Sequence, residues 1–198
     1  KMASSSSAKY ECKVRIDDFV LSSILSNPEK SLVGSIDNGT SSSRFLLITN
    51  TGKILSTAQV EYDQCFPSSS PYQAGSCAGW HEHDPFDIWD SVSICIVKTV
   101  EELSKHGLDL SVDPNASRIK AVGITNQRET TVAWNDRTGR VYYNAIVWDD
   151  TRTAATADTI MRENKQSDHD SKDVLRSKTG LPIASYFAAT KFRWLIEI

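Results

Sequence analysis

Between Leu32 and Tyr62 the chain alternates short apolar runs with turn chemistry, and this restricts the fold more than any other feature. Leu32-Val33-Gly34-Ser35-Ile36-Asp37 reads as a strand that ends in an acid, and Asn38 to Ser43 is a polar turn. Arg44 to Thr49 is a second strand, and Asn50-Thr51-Gly52-Lys53 has hairpin chemistry. Ile54 to Tyr62 is a third strand, β-branched and partly alternating. Strands joined by such tight turns predict an antiparallel meander. A helix signal follows at Asp84-Pro85-Phe86-Asp87, where Asp84 can cap, Pro85 suits the first helical position and Asp87 faces the positive helix end. Ile88, Val92, Cys95, Ile96, Thr99, Val100 and Leu103 then share one face, and Lys105-His106-Gly107 closes the helix. A meander followed by helices predicts an α/β domain with a mixed sheet and flanking helices.

The rest of the chain is read more coarsely. Phe66 to Gly79 is a loop rich in Ser, Pro and Gly. Arg118 to Thr125 is a buried-looking strand, and Thr130–Trp134 and Val141–Tyr142 are strands about an Asp136–Gly139 turn. Ala145 to Trp148 is short and apolar, and Thr151–Met161 and Ala188–Ile196 read as helices. Residues 1–30 read as a separate N-terminal extension, with a flexible linker-like run at Ser4–Ser7 and one amphipathic helix over Ile16–Leu25. Residues 31–198 then form the domain proper. Lys1 precedes Met2, and Phe192 to Ile198 break off within a helical pattern, so both ends read as those of a fragment.

Composition excludes several classes. The 198 residues suffice for one compact domain and not for two full ones. Lys plus Arg number 22 against 25 Asp plus Glu, a net charge of −3, which argues against nucleic acid as a partner. No apolar run approaches the roughly 20 residues of a membrane span. Cys12, Cys65, Cys77 and Cys95 form no CxxC pair and read as free thiols of a reducing compartment. The expected location is the cytoplasm. The alternative, a mitochondrial leader, is opposed by Glu11, Asp17 and Asp18.

Several segments carry chemistry. In Asp37-Asn38-Gly39-Thr40-Ser41-Ser42-Ser43-Arg44, Gly39 lets the backbone approach a ligand, and N–H groups with Thr40 and Ser41 can donate to phosphate oxygens. Asp37 can hold Mg²⁺ directly or through water, and Arg44 offers a planar donor fork. An ordinary polar hairpin turn explains the same spacing. In Gly123-Ile124-Thr125-Asn126-Gln127-Arg128-Glu129-Thr130, Arg128 and Glu129 supply the donor and acceptor that a polyol needs, although the pair taken alone reads first as a surface ion pair. Trp148 and Tyr186 can wall a small-molecule pocket, or simply pack in a core. His81-Glu82-His83-Asp84 has metal-ligand types, but neighbours on an extended segment point apart, and a loop leading into a capped helix is the expected structure.

Taken in order, Ile36–Arg44, Gly79-Trp80-His81-Glu82-His83-Asp84-Pro85, Gly123–Thr130, Tyr143-Asn144-Ala145-Ile146-Val147-Trp148 and Thr179-Gly180-Leu181-Pro182 through Tyr186-Phe187 resemble the glycerol kinase branch of the FGGY carbohydrate kinase family. The resemblance runs from about Leu32 to the end. It implies an actin-like ATPase (ribonuclease H-like) fold and ATP-dependent phosphorylation of glycerol to sn-glycerol 3-phosphate, the first step of glycerol catabolism. It implies Mg²⁺ at Asp37, nucleotide phosphates at Thr40, Ser41, Ser42 and Arg44, and glycerol at Arg128, Glu129, Trp148 and Tyr186. The family's catalytic base lies in a later segment that this chain lacks, as does its adenine pocket, so the chain alone is expected to be inactive. A non-catalytic polyol-binding module, or a kinase for another polyol or sugar, is the alternative. Homo-oligomers are compatible with the resemblance. Asn38 stands where the family usually has Gln, Asp149 where many members have Gln, and the Ser68–Ala78 loop is long.

Overall fold

A computed structural model describes residues 9–72, 75–164 and 171–198. The chain divides into two compact units, one of residues 1–63 and 86–127, the other of residues 64–85 and 128–198. The stretch 31–198, read above as the domain proper, therefore contributes to both units, because the chain leaves the first unit at 63, returns to it at 86 and leaves it again at 127.

The first unit is built on a five-stranded mixed sheet whose strands, in order across it, are Cys12–Ile16 (β1), Ile54–Glu61 (β4), Ser42–Thr49 (β3), Leu32–Asn38 (β2) and Ile119–Thr125 (β6). β2 (Leu32–Asn38), β3 (Ser42–Thr49) and β4 (Ile54–Glu61) form the expected antiparallel meander, with Asp37 opposite Arg44 and Phe45 opposite Ala58. β6 (Ile119–Thr125) lies parallel to β2 on the far side. Its apolar run predicted burial, yet Ile124 is 74% exposed. As an outer strand it has a neighbour on only one edge, and from Lys120 onward its residues are exposed. α2 (Pro85–Lys105) spans the predicted helix and buries Ser91, Cys95, Thr99 and Leu103. Its end is closed at Gly107, whose φ of 88° is the left-handed conformation, and the Leu108 N–H returns to the Leu103 carbonyl at 2.9 Å.

The N-terminal extension does not stand apart over its described part. β1 (Cys12–Ile16) pairs antiparallel with β4 and covers that edge of the sheet. α1 (Asp18–Leu25) follows, capped by the Asp17 carboxylate, which accepts from the Val20 N–H at 2.9 Å. Val20, Leu21 and Ile24 enter the same core as Leu32, Leu47, Leu55 and Leu103. Arg118 fixes the return of the segment by donating to the Ile24, Asn27 and Lys30 carbonyls at 2.9, 2.9 and 3.1 Å. The amphipathic helix is present. The separation is not, since the apolar side chains of 12–25 have a sheet to pack on. The Ser4–Ser7 run lies outside the described residues.

The second unit has a two-stranded sheet, β5 (Glu82–His83) against β7 (Ala145–Ile146), so the expected loop at 81–84 contains a short strand. Thr130–Trp134 and Val141–Tyr142 make only isolated bridges, Thr131 with Ile146 and Trp134 with Val141. Asn135 explains why: its side-chain oxygen accepts from the Arg137 and Thr138 N–H groups, and this local turn leaves few residues for a ladder. α3 (Ala154–Glu163), α4 (Arg176–Thr179) and α5 (Ala188–Glu197) complete the unit. The loop before β5 is irregular over its described part, with Gln73 and Ala74 outside it. Its core is aromatic, with Trp80 and Trp194 edge to face and 5.5 Å apart.

Candidate active site

In the first unit, the hairpin between β2 and β3 is held from behind. The Gly39 N–H donates to the Ser42 carbonyl at 2.9 Å, and the Tyr62 hydroxyl donates to the Gly39 carbonyl. Burial raises the Tyr62 phenol to about 12, so the hydroxyl stays a donor at neutral pH. Gln127 donates to the Tyr62 oxygen at 2.8 Å, Asn38 donates to Ser43 at 2.7 Å, and Ser91 reaches Ser43 at 2.8 Å. Ser42 and Ser43 are buried, whereas Ser41 and Arg44 are exposed. Arg44 and Asp37 meet at 3.4 Å with roughly half-exposed side chains, 47% and 40%. Weak, exposed pairing of this kind leaves both groups available to a ligand. The hairpin thus offers a carboxylate, hydroxyls and a guanidinium on a rigid turn.

In the second unit, three of the four residues expected to hold a polyol come together. The Trp148 and Tyr186 rings stand edge to face at 5.9 Å. The Glu129 carboxylate accepts from the Ala188 N–H, at the start of α5, at 3.3 Å. Glu129 has a φ of 66°, a conformation rarely taken by residues with a Cβ and costing about 1–3 kcal/mol. Nothing in the sequence signals that strain, because Glu has no turn preference that would announce it. Arg128 adjoins Glu129 but is exposed, and its guanidinium enters no hydrogen bond or ion pair among the described residues.

Two features of this unit escaped the sequence reading. Lys191 is fully buried, and its ammonium donates to the Ser185, Tyr186 and Trp148 carbonyls at 2.7, 2.7 and 3.3 Å. Its signal was present: Lys191 stands three residues from Ala188 and three from Trp194, within the inward stripe of its helix. The second is Arg152, which donates to both Asp150 oxygens at 2.9 and 2.8 Å and to Glu82 at 2.8 Å. Its guanidinium lies 3.9 Å over the Trp80 ring and 4.7 Å from that of Trp194. Glu82 also accepts from Tyr143 at 2.7 Å and Asn144 at 2.9 Å.

The HEHD segment is absorbed by the same scaffold. His81 bonds Asp149 at 2.7 Å and Gln64 at 2.9 Å, and His83 bonds Gln64 at 2.8 Å. Burial, with the His81 ring beside it, lowers His83 to about 4. Gly79 is needed for close approach, since a Cβ there would lie 2.1 Å from the Thr151 hydroxyl. An open cavity of about 570 Å³ is lined by Phe66, Trp80, His81, Asp149 and Thr151, and contains none of the expected polyol residues.

The five-stranded mixed sheet with its meander and helices places the chain in the class of actin-like ATPase domains. The chain belongs to the FGGY family of carbohydrate kinases, whose N-terminal domain matches residues 32–197. A probable glycerol kinase of Caenorhabditis elegans is 44% identical over 167 residues, which cover 84% of this chain and 30% of that relative. Glycerol kinase 1 of Streptomyces coelicolor is 41% identical over 165 residues, covering 83% and 28%. The crystal structure of Plasmodium falciparum glycerol kinase with ADP superposes with a TM-score of 0.65 at 28% identity, covering 85% of this chain and 29% of that one. The chain spans about three tenths of the length of these relatives. No helix among the described residues is long and apolar enough to cross a membrane.

Proposed function

We propose that this chain is the phosphate- and polyol-holding part of an ATP-dependent glycerol kinase, which makes sn-glycerol 3-phosphate. The observation that carries the reading is kinship: the chain is 41–44% identical to glycerol kinases of a worm and a bacterium over more than four fifths of its length. The site geometry supports it. A triol needs charged hydrogen-bonding groups on one side and an apolar wall on the other. Glu129 and the Trp148–Tyr186 pair share one corner of the second unit. Arg128, exposed beside Glu129 and in no ion pair among the described residues, supplies the complementary donor fork. Likenesses to gluconate and xylulose kinases, at 16–23% identity, speak for the fold alone.

In the first unit, Thr40, Ser41, Ser42 and Arg44 would meet nucleotide phosphates. Tyr62 and Gln127 would keep the turn from moving as charge develops on them. The Asp37 carboxylate suits Mg²⁺, a hard ion that prefers oxygen and is commonly held by one or two carboxylates with phosphates and waters. Bound there, the ion would offset negative charge on the phosphates. The free cysteines suit a reducing, cytoplasmic setting. The test is ATP-dependent formation of glycerol 3-phosphate by the full-length protein that carries this chain. Arg128→Ala is expected to raise KM for glycerol about 10- to 100-fold, the worth of one charged hydrogen bond. Phosphorylation of a hexonate or pentulose in preference to glycerol would refute the substrate.

A further inference from the structure

We infer that Lys191 is a positioning residue for the polyol corner, an internal ammonium that fixes the Trp148 and Tyr186 backbones and so sets the spacing of their rings. This rests on the polyol reading and deepens it.

An ammonium has three N–H donors and no acceptor. All three are used, on the Ser185, Tyr186 and Trp148 carbonyls. Two of those carbonyls belong to the residues whose rings form the wall. With its donors spent, the ammonium has none left for a substrate, so it acts only through the backbone it holds. Trp148 is far from Tyr186 in sequence, and this side chain links their carbonyls. Glu129 is tied to the same helix. Its carboxylate accepts from Ala188, in the helix turn that carries Lys191. Burial lowers the Lys191 ammonium, and the charges of Asp150, Glu129 and Asp149 oppose that lowering.

A purely structural account meets a difficulty. Burying a charged amine carries a desolvation penalty, and an apolar side chain of similar length would fill the space without it. Methionine, however, could not tie the carbonyls of two separate segments to one point. The retained charge suits a corner whose geometry matters more than its packing.

The test compares Lys191→Met with Thr190→Val in the full-length protein. Thr190→Val removes the neighbouring hydroxyl contacts with Thr153, 2.9 Å, and with the Phe187 carbonyl, 3.1 Å, and leaves the three carbonyls that Lys191 holds bonded. Each variant is followed by thermal melting, by separate KM values for glycerol and ATP, and by the NMR contact between the Trp148 and Tyr186 rings. Lys191→Met is expected to raise KM for glycerol at least tenfold, to leave KM for ATP within twofold, and to lose the ring contact. Thr190→Val is expected to melt earlier with both KM values and the ring contact kept. Unchanged glycerol KM and ring contact in Lys191→Met would overturn the inference, as would glycerol KM rising in both variants in proportion to lost stability. If the wild-type protein does not phosphorylate glycerol, the polyol reading fails by itself, and the ring contact still decides whether Lys191 positions the pair. Should Lys191→Met not fold, Lys191→Gln, which keeps two donors, is read by the same measurements.

Discussion

Arg152→Met should be one of the more damaging single changes in this chain, and its size follows from what the arginine leaves behind. The Arg152 and Asp150 side chains are 0% exposed and that of Glu82 is 3% exposed. Methionine would fill much of the volume and keep contact with Trp80, but it would leave two buried carboxylates without their cation. Removing one partner of a buried pair typically destabilises by about 3–5 kcal/mol. The lower end applies here, because other donors stay. Asp150 still accepts from the His81 N–H at 2.6 Å, and Glu82 from Tyr143 and Asn144. A loss of about 3 kcal/mol at roughly 2–4 °C per kcal/mol lowers Tm by roughly 6–12 °C for a chain of this size. Thermal and urea denaturation at neutral pH measure it. Adding Glu82→Gln should recover part of the loss, since one of the two orphaned charges is then gone while the amide still accepts from Asn144 and can donate to the Tyr143 oxygen. A single-variant loss below about 1 kcal/mol, or a double variant less stable than the single one, would refute this account.

Two further outcomes are expected. Removing residues 1–30 takes Val20, Leu21 and Ile24 from the core, worth roughly 5–9 kcal/mol together, and strips Arg118 of its carbonyl acceptors. The shortened chain should lose its cooperative melt, and a 31–198 chain melting within a few degrees of the parent would show that the segment is an appendage after all. For His83, the folded state holds the imidazole neutral down to about 4, whereas the unfolded chain binds the proton near 6.5. The unfolded state therefore gains protons first, and the stabilisation, complete above about pH 6.5, is lost as pH falls from there towards 4. Urea midpoints at pH 7 and pH 5 should differ less in His83→Gln than in the wild type, and equal differences would mean that another group carries the pH dependence.

The meander was legible in the sequence because its evidence is local. Gly52 and Asn50 specify a turn by their own conformational preferences, and the runs on either side have the lengths of strands. α2 was legible for the same reason, with its face repeated over 21 residues and Pro85 and Gly107 at its ends. The hairpin residues from Asp37 to Arg44 were adjacent in the chain, so their grouping needed no tertiary knowledge. Glu129, Trp148 and Tyr186 could be named singly, but only the fold brings them to one corner. What the sequence could not decide was anything that depends on a distant neighbour. Cys12–Ile16 is a strand because β4 presents an edge to it, and Ile119–Thr125 is exposed because it takes an outer place in the sheet. The inward stripe of its helix marks Lys191 as buried but not what it binds, and Arg152 looks like an ordinary surface charge, until the Trp148 carbonyl and the Glu82 carboxylate are brought to them from far along the chain. Local preference acts over a few residues and can be read in order. Burial and the partner of a charge are set by which surfaces meet, and that is decided only when the chain has folded.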